Sequence, residues 1–336
     1  MRPFVYVRAE DVPEAVRQAG HGSGAANRAD TQFIAGGTTM LDLMKLGTMH
    51  PRQLIDINAL ERRHGRIEVG AEGLRLGALV RMARAADDAD VRRDYPVIAE
   101  SLTLAASAQL RNMASLGGNV LQRTRCQYFR DPSTHACNKR DPGSGCAALD
   151  GVNRKHAVLG VGGRCIAEYP GDFAQALVAL DARIETFGPA GPRSFAAEQL
   201  HRSADTPETE TILAPGELIT AFVVPLGPWT RRSAYVKVRD RQSYEFALAS
   251  AAVALDMDGD HVRAVRIALG GVAYRPWRAR EAEGMLAGRS LTEANAARAA
   301  RAAFADAVPR EQNRYKIALG QQTIVRALLE AAGRSA

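Results

Sequence analysis

Cysteine is scarce in this chain, four residues in 336. Aromatic residues are only 6% and do not interleave with the basic runs, which argues against a nucleic-acid surface built on base stacking. Neither charge dominates a tail: 44 Lys and Arg against 37 Asp and Glu leave +7 spread along the chain, a balance that suits an anionic ligand or an acidic partner surface. No apolar run is long enough to span a bilayer. The opening Met1-Arg2-Pro3-Phe4 is not followed by the apolar core of a signal peptide, so the expectation is a chain without an export signal of its own. The motifs H-E-x-x-H, G-x-S-x-G and G-x-x-x-x-G-K-[ST] are absent, and no pair of carboxylates stands out as an acid and base. These absences exclude the commoner hydrolytic and nucleotide-hydrolysing chemistries and suit a protein that moves electrons. What remains, 46% apolar and 24% charged, is an ordinary globular composition, at a length that calls for two or three domains.

The four cysteines fall within forty positions, Cys126, Cys137, Cys146 and Cys165, with spacing C-x10-C-x8-C-x18-C. A zinc ribbon normally carries a tight C-x2-4-C knuckle, and none is present. A [4Fe-4S] cube accepts thiolates from irregularly spaced loops and fits better, while two disulfides, zinc and ordinary buried thiols stay open on the spacing alone. Between the thiols Arg123, Arg125, Arg130, Lys139, Arg140, Arg154 and Lys155 outnumber Asp131, Asp141 and Asp150. A cationic wrapping of that kind stabilises an anionic cluster and raises its potential. His135 and His156 lie in the same segment and are candidate replacement ligands.

Along the chain, Asp11 followed by Pro13 reads as a capped helix start. A short strand at 32–35 runs through Gly36-Gly37-Thr38-Thr39 into a helix at 40–46. Strands follow at 54–57, 66–69 and 74–76, then a helical stretch at 81–107 broken near Tyr95-Pro96. Beyond the cysteines come a helix at 171–180, a strand at 182–187, and strands at 217–224, 233–238, 247–255 and 262–269. Alanine-rich helices at 291–307 and 321–332 complete the pattern. The turn at Leu226-Gly227-Pro228 marks a domain boundary. Residues 21–26 read as a loop, and Gly20-x-Gly22-x-x-Ala25 is set aside as a dinucleotide fingerprint because it follows a helix and not a strand.

Two glycine pairs stand where a backbone could meet an anion. In Ile34-Ala35-Gly36-Gly37-Thr38-Thr39 a strand ends in consecutive glycines, so successive N–H groups, two hydroxyls and a helix start can converge on a phosphate. Gln109-Leu110-Arg111-Asn112-Met113-Ala114-Ser115-Leu116-Gly117-Gly118-Asn119 repeats the theme. Either alone is also what a plain turn requires. Together they point to one extended ligand that carries a diphosphate.

These motifs in this order, with Leu54-Ile55-Asp56-Ile57 and Leu76-Gly77-Ala78 between them, resemble the FAD-binding medium subunit of the xanthine oxidase family of molybdenum hydroxylases. The resemblance covers nearly the whole chain, and the stretch from Trp229 looks like that subunit's smaller C-terminal domain. Most such subunits lack a cysteine segment. The one here is similar to the insert that holds a [4Fe-4S] cluster in flavoprotein subunits of bacterial periplasmic aldehyde oxidoreductases, with an analogue in 4-hydroxybenzoyl-CoA reductase. Leu110 replaces the isoleucine common in the family, a conservative change.

The resemblance implies an α+β protein: a PCMH-type FAD-binding fold of two subdomains over residues 1–227, including an iron-sulfur insert at 121–170, and a CO dehydrogenase flavoprotein type C-terminal α/β domain over 228–336. It implies that Phe33, Ile34, Ala35, Gly36, Gly37, Thr38, Thr39 and Met40 hold the FAD diphosphate, and that Ser107, Ser115, Gly118 and Asn119 contact the rest of the cofactor. Asp172 would bond the ribityl or ribose hydroxyls, though a helix cap explains it nearly as well. Ile184 would line the ring or adenine pocket, where a strand isoleucine is usually core. Lys237 would approach the isoalloxazine, where a cation stabilises reduced flavin, against the plainer reading of a solvated strand charge. Cys126, Cys137, Cys146 and Cys165 would ligate the [4Fe-4S] cluster. Implied partners are a small [2Fe-2S] subunit and a large molybdenum-cofactor subunit in a heterotrimer, with an external electron acceptor, no nucleic acid and no membrane span. The implied location is the periplasm, reached on a partner's signal, with the cytoplasm as alternative. A stand-alone PCMH-type flavin oxidase or reductase is the second reading, and a stapled basic binding module the third.

Overall fold

The computed structural model describes residues 1–20, 24–133 and 135–334. The loop expected at 21–26 therefore falls partly, and the set-aside glycine fingerprint partly, outside the described residues. Helices and three separate sheets make an α+β architecture.

The first sheet is parallel, in the order β1 (Val5–Arg8), β3 (Gln53–Asp56), β2 (Thr31–Ile34). The register pairs Tyr6 with Leu54 and Phe33 with Ile55. Asp11 caps the helix Val12–Ala19, its carboxylate accepting from the Glu14 N–H at 2.7 Å. That helix packs Val12, Ala15 and Val16 against Ile55 and Ile57, so a small α/β layer is closed by one amphipathic face. Strand order in such a layer opens a crevice beyond the strand ends. Residues 35–39, between β2 and the helix Met40–Lys45, occupy it.

The second sheet is antiparallel throughout, in the order β4 (Ile67–Gly70), β5 (Gly73–Gly77), β8 (Leu218–Pro225), β6 (Arg183–Gly188), β7 (Gly191–Ala196). Between β5 and β6 the chain inserts five helices, Met82–Asp87, Ala89–Asp94, Pro96–Thr103, Ala108–Met113 and Leu116–Val120, then the cysteine segment, then the helix Phe173–Ala179. The helical stretch expected at 81–107 breaks at Tyr95 as Pro96 dictates, and also at Asp88, whose side chain accepts from the N–H groups of Asp90 and Val91 to cap a new helix. Helix Phe173–Ala179 is buried on every side. It packs on helix Pro96–Thr103 and also on the third sheet, which explains why every residue but Gln175 is apolar.

The third sheet runs β12 (Trp277–Arg278), β11 (His261–Gly270), β10 (Ala249–Asp258), β9 (Ser233–Val238), also antiparallel. Helices Arg280–Leu286, Glu293–Ala302 and Tyr315–Ala332 cover one face around a core that includes Val253, Leu255, Ile267, Ile324 and Leu328. Helix Arg280–Leu286 escapes the sequence reading because it lacks a capping side chain and contains Gly284. The last helix begins before the expected residue 321. Gly320, unfavourable in a helix interior, stands where a Cβ would meet the Phe304 ring at 2.2 Å.

Candidate functional site

A cavity of about 220 Å³ lies between the parallel sheet and the second sheet's connections, lined by every residue from Phe33 to Met40. Gly36 and Gly37 are needed here for different reasons. A Cβ on Gly36 would fall 1.9 Å from the Met113 carbonyl oxygen, whereas Gly37 has φ +72°, a conformation other residues adopt only with strain. Among the described residues no carbonyl or side chain accepts from the N–H groups of Gly36, Gly37, Thr38 or Thr39. Consecutive free amides at a turn form a concave anion receptor. The following helix has six residues, so its dipole adds little and the turn itself supplies the field.

The second glycine pair does another job. The Leu116 and Gly117 N–H groups are taken by the carbonyls of Val80 and Ala78, at 3.0 and 2.8 Å, and Gly117 permits close approach to Ala78. Ser115 and Gly118 reach the cavity, with the Ser115 hydroxyl capping its helix by accepting from the Gly118 N–H. Asn119 is off the cavity wall, and its Oδ1 is buried without a protein partner. Ser107 caps helix Ala108–Met113, accepting from the Leu110 N–H at 3.3 Å.

Asp172, Ile184 and Lys237 also stand apart from this cavity. Ile184 is 1% exposed within β6 and belongs to the main core. Asp172 and Lys237 are brought to each other: the ammonium lies 2.7 Å from Asp172 Oδ2 and donates to the Leu104 carbonyl at 3.1 Å, while the Tyr235 hydroxyl donates to Asp172 Oδ1 at 2.7 Å. The pair is buried, so Lys237 is no solvated strand charge, and Asp172 heads its helix without a capping bond.

The far wall contains Glu168, His201 and Glu210, which no sequence pattern singled out for a cofactor. Glu210 accepts from Arg123 at 2.6 Å and pairs with Lys139 at 2.8 Å. Burial would raise its carboxyl, but the two cations win and hold it down to about 2. Glu168 is pushed up to about 7 by burial, which outweighs the more distant Lys316, Lys155 and Arg125, and burial lowers the imidazole of His201 to about 4. Half-buried Asn27, whose amide nitrogen donates to the Glu208 carbonyl, lines the same cavity with a buried Oδ1 that has no protein partner. Free amides on one side and unmatched polar groups on the other fit a long ligand with an anionic middle.

The four thiols are unpaired and all line one pocket, with Phe129, Asn138, Lys139 and Arg164 among its other walls. Cys126 precedes the helix Gln127–Arg130, and Cys137 bridges Cys146 across a short antiparallel pair. Cys165 arrives on another such bridge with Gly162. Asn138 ties these loops together, its Oδ1 accepting from Gly143 and Gly145 and its Nδ2 donating to the Arg164 carbonyl at 2.9 Å. Burial pushes the Cys126 thiol up to about 12, whereas a hydrogen bond from Cys165 brings Cys146 down to about 6 and raises Cys165 itself. His156 Nε2 lies 3.2 Å from Cys126 Sγ, while His135 packs edge-on against Tyr128. Among the described residues no group of three or more His, Cys, Asp or Glu side chains is arranged for a single metal ion. The enclosed void measures about 10 Å³. The fit to a cube thus lies in ligand number and softness, and not in preformed space or geometry.

Fold and cavity together define a flavin-binding oxidoreductase subunit. The chain belongs to the FAD-binding subunits of the molybdopterin dehydrogenases: residues 2–227 match the FAD binding domain in molybdopterin dehydrogenase, and residues 233–331 match the CO dehydrogenase flavoprotein C-terminal domain. It is 46% identical over 334 residues to the aldehyde oxidoreductase FAD-binding subunit PaoB of Escherichia coli (strain K12), covering 98% of this chain and 99% of that one. The glyceraldehyde dehydrogenase medium chain of Sulfolobus acidocaldarius is 26% identical, over 86% of this chain and 83% of its own. A solved carbon monoxide dehydrogenase from Hydrogenophaga pseudoflava superposes with a TM-score of 0.76 at 28% identity, covering 100% of this chain and 99% of that chain. No helix among the described residues is long and apolar enough to cross a membrane.

Proposed function

We propose that this chain is the electron-transfer flavoprotein subunit of a heterotrimeric molybdenum-dependent aldehyde oxidoreductase, holding FAD and a [4Fe-4S] cluster. The observation that carries the reading is the convergence of four unpaired thiols on one pocket beside the free-amide cavity. The 46% identity to an aldehyde oxidoreductase subunit supports the substrate class. The aldehyde itself would be oxidised at a molybdenum cofactor in a large partner, and electrons would arrive through the [2Fe-2S] clusters of a small partner and leave to an external acceptor.

Bound FAD supplies the junction between two-electron and one-electron chemistry. In this reading the amides of Gly36, Gly37, Thr38 and Thr39, aided by the Thr hydroxyls, hold the diphosphate. Phe33, Ile34, Ala35 and Met40 shape the cradle, and Ser115 and Gly118 contact the remainder of the cofactor. Ser107 and Asn119 act through helix placement. Asp172 and Lys237 form a buried pair between residues 1–227 and 228–336, the proposed domains, and Ile184 packs in the core on β6. Cys126, Cys137, Cys146 and Cys165 are the cluster ligands within the insert at 121–170. The proposed location is the periplasm, on a partner's export signal, as the likeness of the insert suggests; fractionation of cells expressing the whole complex decides against the cytoplasm.

Co-purification with the neighbouring subunits tests the whole. One flavin and four iron atoms assignable to this subunit are expected, and flavin without that iron would leave the stand-alone flavin enzyme as the better reading.

A further inference from the structure

We propose that Lys139 is an electrostatic bridge between the flavin cavity and the thiol pocket, its charge raising the reduction potential of a cluster held by the four cysteines; the proposal rests on the cluster reading above. Among the described residues only Lys139 and Ala167 line both pockets, and only Lys139 carries charge. It is 6% exposed and pairs with Glu210 at 2.8 Å. It also donates to the Tyr274 hydroxyl at 2.9 Å and lies 4.8 Å from the centre of that ring.

The argument is one of counting buried charge. Glu210 is a single carboxylate serving two cations, Arg123 at 2.6 Å and Lys139. Arg164, on the thiol pocket, is matched separately by Glu208 at 3.5 Å. His201 is lowered by burial and carries no charge at neutral pH, and burial raises the Tyr274 phenol to about 12, so it is protonated. The Lys139 ammonium sits directly against the Glu210 carboxylate and donates to the neutral Tyr274 hydroxyl. Within the Arg123–Glu210–Lys139 group one positive charge is therefore left over, and burying an unmatched charge is unfavourable unless an anion lies within reach. An electron added to a cluster on those thiols increases the negative charge facing Lys139, so the ammonium favours the reduced form.

The test is a redox titration of the purified complex, following the reduced-cluster EPR signal after iron and flavin contents have been measured. Lys139→Gln is expected to lower the reduced-to-oxidised ratio about tenfold at a fixed potential, a midpoint shift of about 59 mV for a one-electron couple. Lys139→Arg keeps the charge and should restore the wild-type midpoint. Glu210→Gln leaves two unmatched cations and should move the midpoint upward. A merely structural role would not give opposite signs. An unchanged midpoint in iron-replete Lys139→Gln, or the same direction of shift in both variants, overturns the proposal while the cluster reading stands. If Lys139→Gln does not fold, absence of an upward shift in Glu210→Gln overturns it. Wild-type protein without this subunit's iron overturns both readings together.

Discussion

Replacing Gly37 by Val tests the anion-receptor turn most directly, because the structure separates its effect on folding from its effect on the ligand. Gly37 sits at φ +72°, and an L-residue held in that region is destabilised by about 1–2 kcal/mol, with a β-branched side chain at the upper end. The added Cβ would meet Leu41 Cδ1 at 3.0 Å, the flexible end of a side chain that can rotate away. The folding cost is therefore a fraction of an ordinary domain's stability. Ligand binding suffers differently, because relief of the strain re-aims the neighbouring amides. If only one charge-assisted hydrogen bond is lost, at about 1.5–3 kcal/mol, affinity drops about tenfold to a hundredfold. Flavin occupancy by absorbance at fixed free FAD reads this out, with iron per chain as the internal standard. Gly259→Val supplies the control, since Gly259 has φ +59° in the β10–β11 turn and nothing within 4 Å. The expected outcome is flavin lost and iron kept in Gly37→Val, with both kept in Gly259→Val. Unchanged flavin in Gly37→Val, or equal loss in both, refutes the placement of the diphosphate.

Each of Cys126→Ser, Cys137→Ser, Cys146→Ser and Cys165→Ser should lower cluster iron and its EPR signal, because a hydroxyl is a poor substitute for a soft thiolate. Should Cys165→Ser alone retain both, His156, already 3.2 Å from Cys126 Sγ, becomes the first replacement ligand to examine. His201 has its imidazole lowered from 6.5 to about 4 by burial, so its contribution to stability is complete above pH 6.5 and is lost as pH falls through 4. Wild type minus His201→Gln should therefore lose stability on acidification through that window, by at most about 1.4 kcal/mol per pH unit; a flat difference in chemical denaturation refutes it. Lys237→Met strands the Asp172 carboxylate with Tyr235 alone and should destabilise by about 3–5 kcal/mol, much of it recovered when Asp172→Leu is added. If both the single and the double variant keep full stability and lose only flavin, the pair is a cofactor contact and not a support.

The parts of this protein that could be read from the sequence are those where one local requirement has one chemical solution. Gly36 and Gly37 sit in a strand-to-helix turn whose backbone excludes a Cβ, and Thr and Gly letters after an apolar strand announce it. Four soft thiols in a chain that otherwise avoids cysteine announce a pocket, even though their 10, 8 and 18-residue spacings hide which loops bring them together. Helix and strand positions followed wherever periodicity and caps agreed, as at Asp11 and Pro96. They failed where tertiary contact overrode propensity, as at Gly320 beneath Phe304. Long-range charge matching was the least legible. Glu210, flanked by two threonines and 71 positions from Lys139 in sequence, has nothing local to mark it. Asp172 and Lys237 carry no sign that they will neutralise each other 65 residues apart at 2.7 Å. A lone charged residue in a strand is solvated unless some distant partner arrives, and only the fold decides that. The consequence runs through the site as a whole: the glycine turn and the run of cations between the thiols were visible in advance, whereas the buried carboxylate that pairs with two of those cations became visible only once the cysteine segment had been folded against the second sheet's connections.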